Sequence, residues 1–118
     1  ARQTSDLSNL SPIDRAQVLA ARHVKNAGDA SMEKELSEAL VAVAGQADAI
    51  RAGTYPKLFK AIEDASAAGS PSASLLLAKV LWGRDTDRSE RLFIRLARQG
   101  NPEAVEFCED QFIDWKEK

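Results

Sequence analysis

Gly69-Ser70-Pro71-Ser72-Ala73 and Gly100-Asn101-Pro102-Glu103-Ala104 are the two stretches on which the reading of this chain turns. Each places a glycine where a helix has to end, then a side chain able to cap the next helix, then a proline at that helix's first position. Glycine accepts the left-handed backbone of a helix C-terminus. Proline at the first helical position gives up no hydrogen bond and has its dihedral already set. The two junctions lie 100 − 69 = 31 residues apart, and the likeness runs outward in both directions. Downstream, Leu77 answers Cys108 and Leu81 answers Phe112; upstream, Ala61-Ile62 answers Leu92-Phe93 and Ala65 answers Leu96. Gly28 opens a more degenerate copy, with Met32, Leu36 and Leu40 in the corresponding apolar places.

Working outward, the glycines and caps predict six helices, near 12–27, 31–44 with an extension toward 52, 55–68, 71–82, 87–99 and 102–115. Ser11-Pro12 starts the first, and Asp87-Arg88-Ser89-Glu90 reads as a capping box for the fifth. No segment alternates like a strand, and β-branched residues are sparse. Short connections make neighbouring helices antiparallel. A hairpin repeated in register can bury its apolar face only against the next hairpin. The expected fold is therefore all-α: one domain over residues 11–118 of stacked antiparallel helical hairpins, a short α-solenoid, with a compact six-helix bundle as the alternative. Residues 1–10, polar and aperiodic, are expected to form an N-terminal arm.

Ala73-x3-Leu77-Ala78-x2-Leu81-Trp82-Gly83, followed by Leu96-Ala97-Arg98-Gln99-Gly100-Asn101-Pro102-Glu103-Ala104, resembles the Sel-one-like repeat, a branch of the tetratricopeptide superfamily. The likeness covers about residues 58–108. Three features depart from it: the 31-residue offset is shorter than the family's usual period, Glu109 stands where the first helix carries a small residue, and residues 1–30 show little of the pattern. The resemblance implies a tetratricopeptide-like stack that does scaffolding or adaptor work, commonly in bacteria and often in exported proteins, and it implies no catalysis.

Composition fits that class. The chain has 118 residues, 44% hydrophobic and 29% charged, which is ordinary for a globular domain able to close its own core. A formal charge of −2 supplies no electrostatic reason for a nucleic acid or an anionic membrane as main partner. The apolar runs at Leu75–Leu77 and Leu40–Ala44 are far shorter than the roughly 18 to 20 residues that cross a bilayer, so no membrane insertion is expected. A chain that starts at Ala1 with no charged-then-apolar leader is expected to be processed or excised from a longer one, soluble, and either cytoplasmic or exported. One cysteine forms no internal disulfide and leaves the compartment open.

Candidate chemistry is thin. Cys108 has no base near it in the sequence, since the single histidine is His23, and the repeat aligns Cys108 with Leu77 and Leu36, which are core positions. His23 alone reads as a packing or surface residue. The carboxylate groups Glu33-Glu35-Glu38, Asp85-Asp87 and Glu106-Glu109-Asp110 lack the spacing of a calcium loop or of a paired-carboxylate catalyst, and read as solvated helix faces. No cofactor and no metal is expected.

Arg88, Arg91, Arg95 and Arg98, spaced 3, 4 and 3, line one helix face opposite Leu92, Phe93 and Leu96. Planar bidentate donors in such a row suit carboxylates or phosphates on a partner, although exposed pairs with neighbouring acids would also account for them. Trp82 matches an aromatic packing position. Trp115, beside Phe112 and Ile113, reads either as a binding anchor or as an end cap folded onto the last hairpin, and Tyr55 with Phe59 could edge a groove. The expected function is a non-enzymatic adaptor that binds a protein partner through Arg88, Arg91, Arg95, Arg98 and Trp115, with pairing of uncovered repeat ends into a homodimer as a further expectation. A small helical inhibitor or immunity-type protein is the alternative, and an enzyme using Cys108 or the carboxylates ranks last.

Overall fold

A computed structural model describes residues 10–26 and 28–116. Ser11 accepts a hydrogen bond from the Asp14 amide and Pro12 occupies the first turn, so α1 runs Pro12–Lys25. Asp29 caps α2, Ala30–Val43, by accepting from the Ser31 and Met32 amides. Here the expected extension toward residue 52 breaks. A 3-10 turn at Ala44–Gln46 intervenes before a five-residue helix, α3, Ala47–Arg51. Gly45 sits in that turn and removes about 1 kcal/mol of helix propensity relative to alanine. The bend lets Ile50 turn fully inward.

The remaining helices are α4, Pro56–Ala67; α5, Pro71–Leu81; α6, Thr86–Arg98; and α7, Pro102–Asp110. Two boundaries correct the expectations. Asp85, not Asp87, caps α6, accepting from the Arg88 amide, so the helix starts one residue early and Asp87 lies in its first turn. The last helix ends at Asp110 instead of near 115, because Phe112 adopts φ 59° and turns the chain out of the helix. No strand occurs among the described residues.

The two quoted junctions have the same geometry. Gly69 (φ 104°) and Gly100 (φ 91°) are left-handed; their amides donate to Ser66 and Ala97, and the following amides to Ala65 and Leu96, all at 3.0 Å. Ser70 and Asn101 then accept from the amides of Ala73 and Ala104 at 3.1 and 3.0 Å. Ala73 and Ala104, Leu77 and Cys108, and Ile62 and Phe93 are correspondingly buried. At the degenerate copy Gly28 is also left-handed and Asp29 takes the capping place, with Leu36 and Leu40 buried.

Three hairpins result: α1 with α2, α4 with α5, and α6 with α7. Helix α1 packs on α4 as well as α2, α5 packs on α6, and both α2 and α3 reach α5. The stack measures 49 × 30 × 19 Å. Among the described residues, eight of the buried apolar side chains are alanines, including Ala16, Ala20, Ala73 and Ala104, and small contacts of this kind let helix axes approach closely. Serine serves the same close contacts: Ser66 and Ser74 share a 2.7 Å hydrogen bond between α4 and α5, and Ser89 donates to the Ala78 carbonyl between α6 and α5. Larger side chains fill the rest. Phe107 stacks on Phe93 with centroids 3.9 Å apart and receives Trp82 edge-on at 4.9 Å, contacts worth about 0.5–1.5 kcal/mol each beyond their area.

Candidate interaction site

Helix α6 carries the arginine series because its apolar residues recur at helical spacing. Leu92, Phe93, Leu96 and Ala97 go inward, which leaves Arg91, Arg95 and Arg98 outside. The four arginines do not act alike. Arg88 Nη1 donates to Glu63 Oε2 at 2.9 Å and ties α6 to α4. Arg98 Nε donates to the Trp115 carbonyl at 2.8 Å and holds the C-terminal segment against the end of the stack. The side chains of Arg91 and Arg95 make no hydrogen bond or ion pair with any described residue, and both are exposed. One helical turn apart, they repel each other by a few tenths of a kcal/mol; Asp87, one turn before Arg91, and Glu90 beside it are the acids nearest in sequence. Arg84, just before the series, lies 5.4 Å from the Phe59 ring centre and donates to the Arg51 carbonyl, so its charge is engaged within the fold.

Trp115 is half-buried against the core together with Ile113, its carbonyl held by Arg98 and Lys116 5.8 Å from its ring. The aromatic left in solvent is its neighbour Phe112, 95% exposed. Tyr55 and Phe59 are half-buried on the core. Cys108 is fully buried, and burial, with Glu90 and Glu109 nearby, pushes its thiol pKa up, so the thiolate is disfavoured at neutral pH.

A polar cluster absent from the sequence reading joins the first two hairpins. Glu33, in the first turn of α2, accepts from Ser70 Oγ at 2.7 Å, from the Ser72 amide at 3.2 Å and from Ser72 Oγ. His23 Nε2 lies 3.2 Å from the same carboxylate. Glu33 thus caps α5 from a different hairpin, and the helix dipole reinforces the contact. His23 is 3% exposed, and its Nδ1 has no hydrogen-bond partner among the described residues. At the other end of α5, Arg51 Nε and Nη2 donate to the carbonyls of Val80 and Lys79, both at 2.7 Å, where a helix leaves its last carbonyls unpaired.

Other carboxylates are likewise engaged: Asp64 with Lys60, Glu103 with Lys79, and Asp48 with Arg51. No group of three or more His, Cys, Asp or Glu side chains converges as a metal site among the described residues. No helix there is long and apolar enough to cross a membrane. In comparison with known proteins, the chain matches no family model, no curated protein and no solved structure.

Proposed function

We propose that this chain is a non-enzymatic helical-repeat module, of the Sel-one-like kind its junctions resemble, that holds an acidic segment of a partner protein. The observation that carries the reading is the pair Arg91 and Arg95. Two guanidinium groups stand one turn apart on the outer face of α6 with no ion pair to a described acid, while Arg84, Arg88 and Arg98 are all engaged inside the fold. In a chain of net charge −2, two unpaired planar donors are a surface suited to carboxylates. The repeated glycine–cap–proline junction supports the helical-repeat part of the reading.

An inhibitor that docks acidic side chains would have to use carboxylates other than Glu33, Glu63, Asp64 and Glu103, which already have partners within the chain. Catalysis by Cys108 lacks both an accessible thiol and a nearby base, because His23 sits with Glu33 in the first hairpin. The test is affinity capture with the wild-type chain and with the double variant Arg91→Glu, Arg95→Glu. An acidic partner retained by the first and lost by the second, with unchanged helical signal, is the expected result. Equal capture by both removes this surface from the proposal.

A further inference from the structure

The junction of α1 and α4 leaves a trough that the packing of the hairpins does not use. Its larger part has a volume of about 390 Å³, lined by the apolar side chains of Val18, Ala21, Val24 and Ala61. Val24 is 40% exposed there, a large apolar side chain left in water. Lys25, Lys57 and Lys60 rim it, opposed by Asp64 alone. A smaller part of about 290 Å³ shares Gln17 and Lys57, adds the carboxylate of Asp14, and continues past Ile13 to Tyr55. Along α1 the two parts run from Ile13 to Lys25, about 18 Å at the rise of a helix, which is the length of three helical turns.

Lys60 pairs with Asp64 at 3.0 Å and Lys25 stands at the C-terminus of α1, where the helix dipole favours a cation, so Lys57 is the rim charge without a structural explanation of its own. Lys57 stands in the first turn of α4, where a cation opposes the helix dipole, and no described carboxylate pairs with it. Lys25 closes α1 with its amine equally unpaired among the described residues. An apolar lining three turns long with unpaired amines on its rim matches a helix bearing apolar residues at i, i+3, i+4 and i+7 and carboxylates on its flanks.

We propose that the α1–α4 trough receives an acidic, amphipathic helical segment of a partner protein, a surface separate from Arg91 and Arg95. The inference rests on the interaction-module reading but not on the α6 surface. The probe is a fluorescent peptide of about 18 residues with leucines at i, i+3, i+4 and i+7 and glutamates on both flanks, compared with its lysine-flanked counterpart by anisotropy. The acidic peptide binds and the basic one does not. Lys25→Glu with Lys57→Glu, and separately Ala21→Trp to fill the trough, each weaken binding by about tenfold or more with unchanged helical signal, while Arg91→Glu with Arg95→Glu leaves it intact.

Loss of binding only in the α6 variant overturns the trough and keeps the module reading. Binding that none of the variants alters, binding of the basic peptide alone, or selective binding of phosphatidylserine vesicles also overturns the trough. Absence of peptide binding at roughly 100 µM, with capture through Arg91 and Arg95 preserved, overturns the trough alone; loss of both overturns the two proposals together.

Discussion

Glu33 and Arg51 hold opposite ends of the same helix, a carboxylate at the N-terminus of α5 and a guanidinium at its C-terminus, and both come from the segment preceding α4. Their signs match the helix dipole at each end, and each satisfies backbone groups that an 11-residue helix cannot pair internally.

Truncating either clamp removes charge-assisted hydrogen bonds. Glu33→Ala and Arg51→Ala are each expected to lower unfolding free energy by about 2 kcal/mol in urea titrations. The two contacts lie about 13 Å apart along α5, so the double variant should equal the sum within about 0.5 kcal/mol. A strong excess over the sum would show that the two ends are not independent.

Phe112 occupies the left-handed position that Gly69 and Gly100 occupy at the ends of α4 and α6, and it makes the same two hydrogen-bonded closures, to Glu109 and from Ile113 to Cys108. A non-glycine residue in this conformation costs about 1 kcal/mol, and a side chain 95% exposed returns little of it by packing. Phe112→Gly is therefore expected to raise stability by about 1 kcal/mol, whereas Gly100→Ala lowers it by about the same amount. Thermal unfolding of the pair checks both signs.

Cys108 is expected to react slowly with a thiol reagent at neutral pH in the native chain and rapidly once unfolded. Its raised native pKa means the folded chain keeps the proton longer than the unfolded one. The associated stability is complete below about pH 8.5, the usual thiol value, and is lost as pH rises through the native value. Cys108→Ala should remove that alkaline dependence at a cost of about 1–2 kcal/mol for the small cavity.

What could be read in the sequence was local. Ser11-Pro12, Ser70-Pro71 and Asn101-Pro102 announce helix starts through their own side chains, and Gly69 and Gly100 announce helix ends, so those boundaries lie where the spacing puts them. The burial of Cys108 followed from its register with Leu77. The end of α7 was hidden because a phenylalanine does a glycine's work there. The cap of α6 was misplaced by two residues because Asp85 and Asp87 are chemically alike and only the turn after Trp82 chooses between them. Nothing local marks Glu33 as the cap of a helix 37 residues away, or singles out Arg91 and Arg95 as the members of the α6 series whose side chains lack a partner among the described residues. Those properties belong to the packing of hairpins on one another.

The 3-10 turn at Ala44–Gln46 sets a phase as well as a bend. Each residue of a helix advances its side chains by about 100°, so the turn fixes the bearing from which Arg51 approaches the carbonyls of α5. One alanine inserted beside Gly45 would leave α1 and α2 untouched and rotate α3 through most of a right angle or more, swinging the guanidinium off its acceptors and Ile50 off the core. The loss expected from that insertion exceeds that of Arg51→Ala, and urea titration of the two variants ranks them. A connection that looks like a lapse in a long helix is, in this sense, the key way that indexes one hairpin to the next.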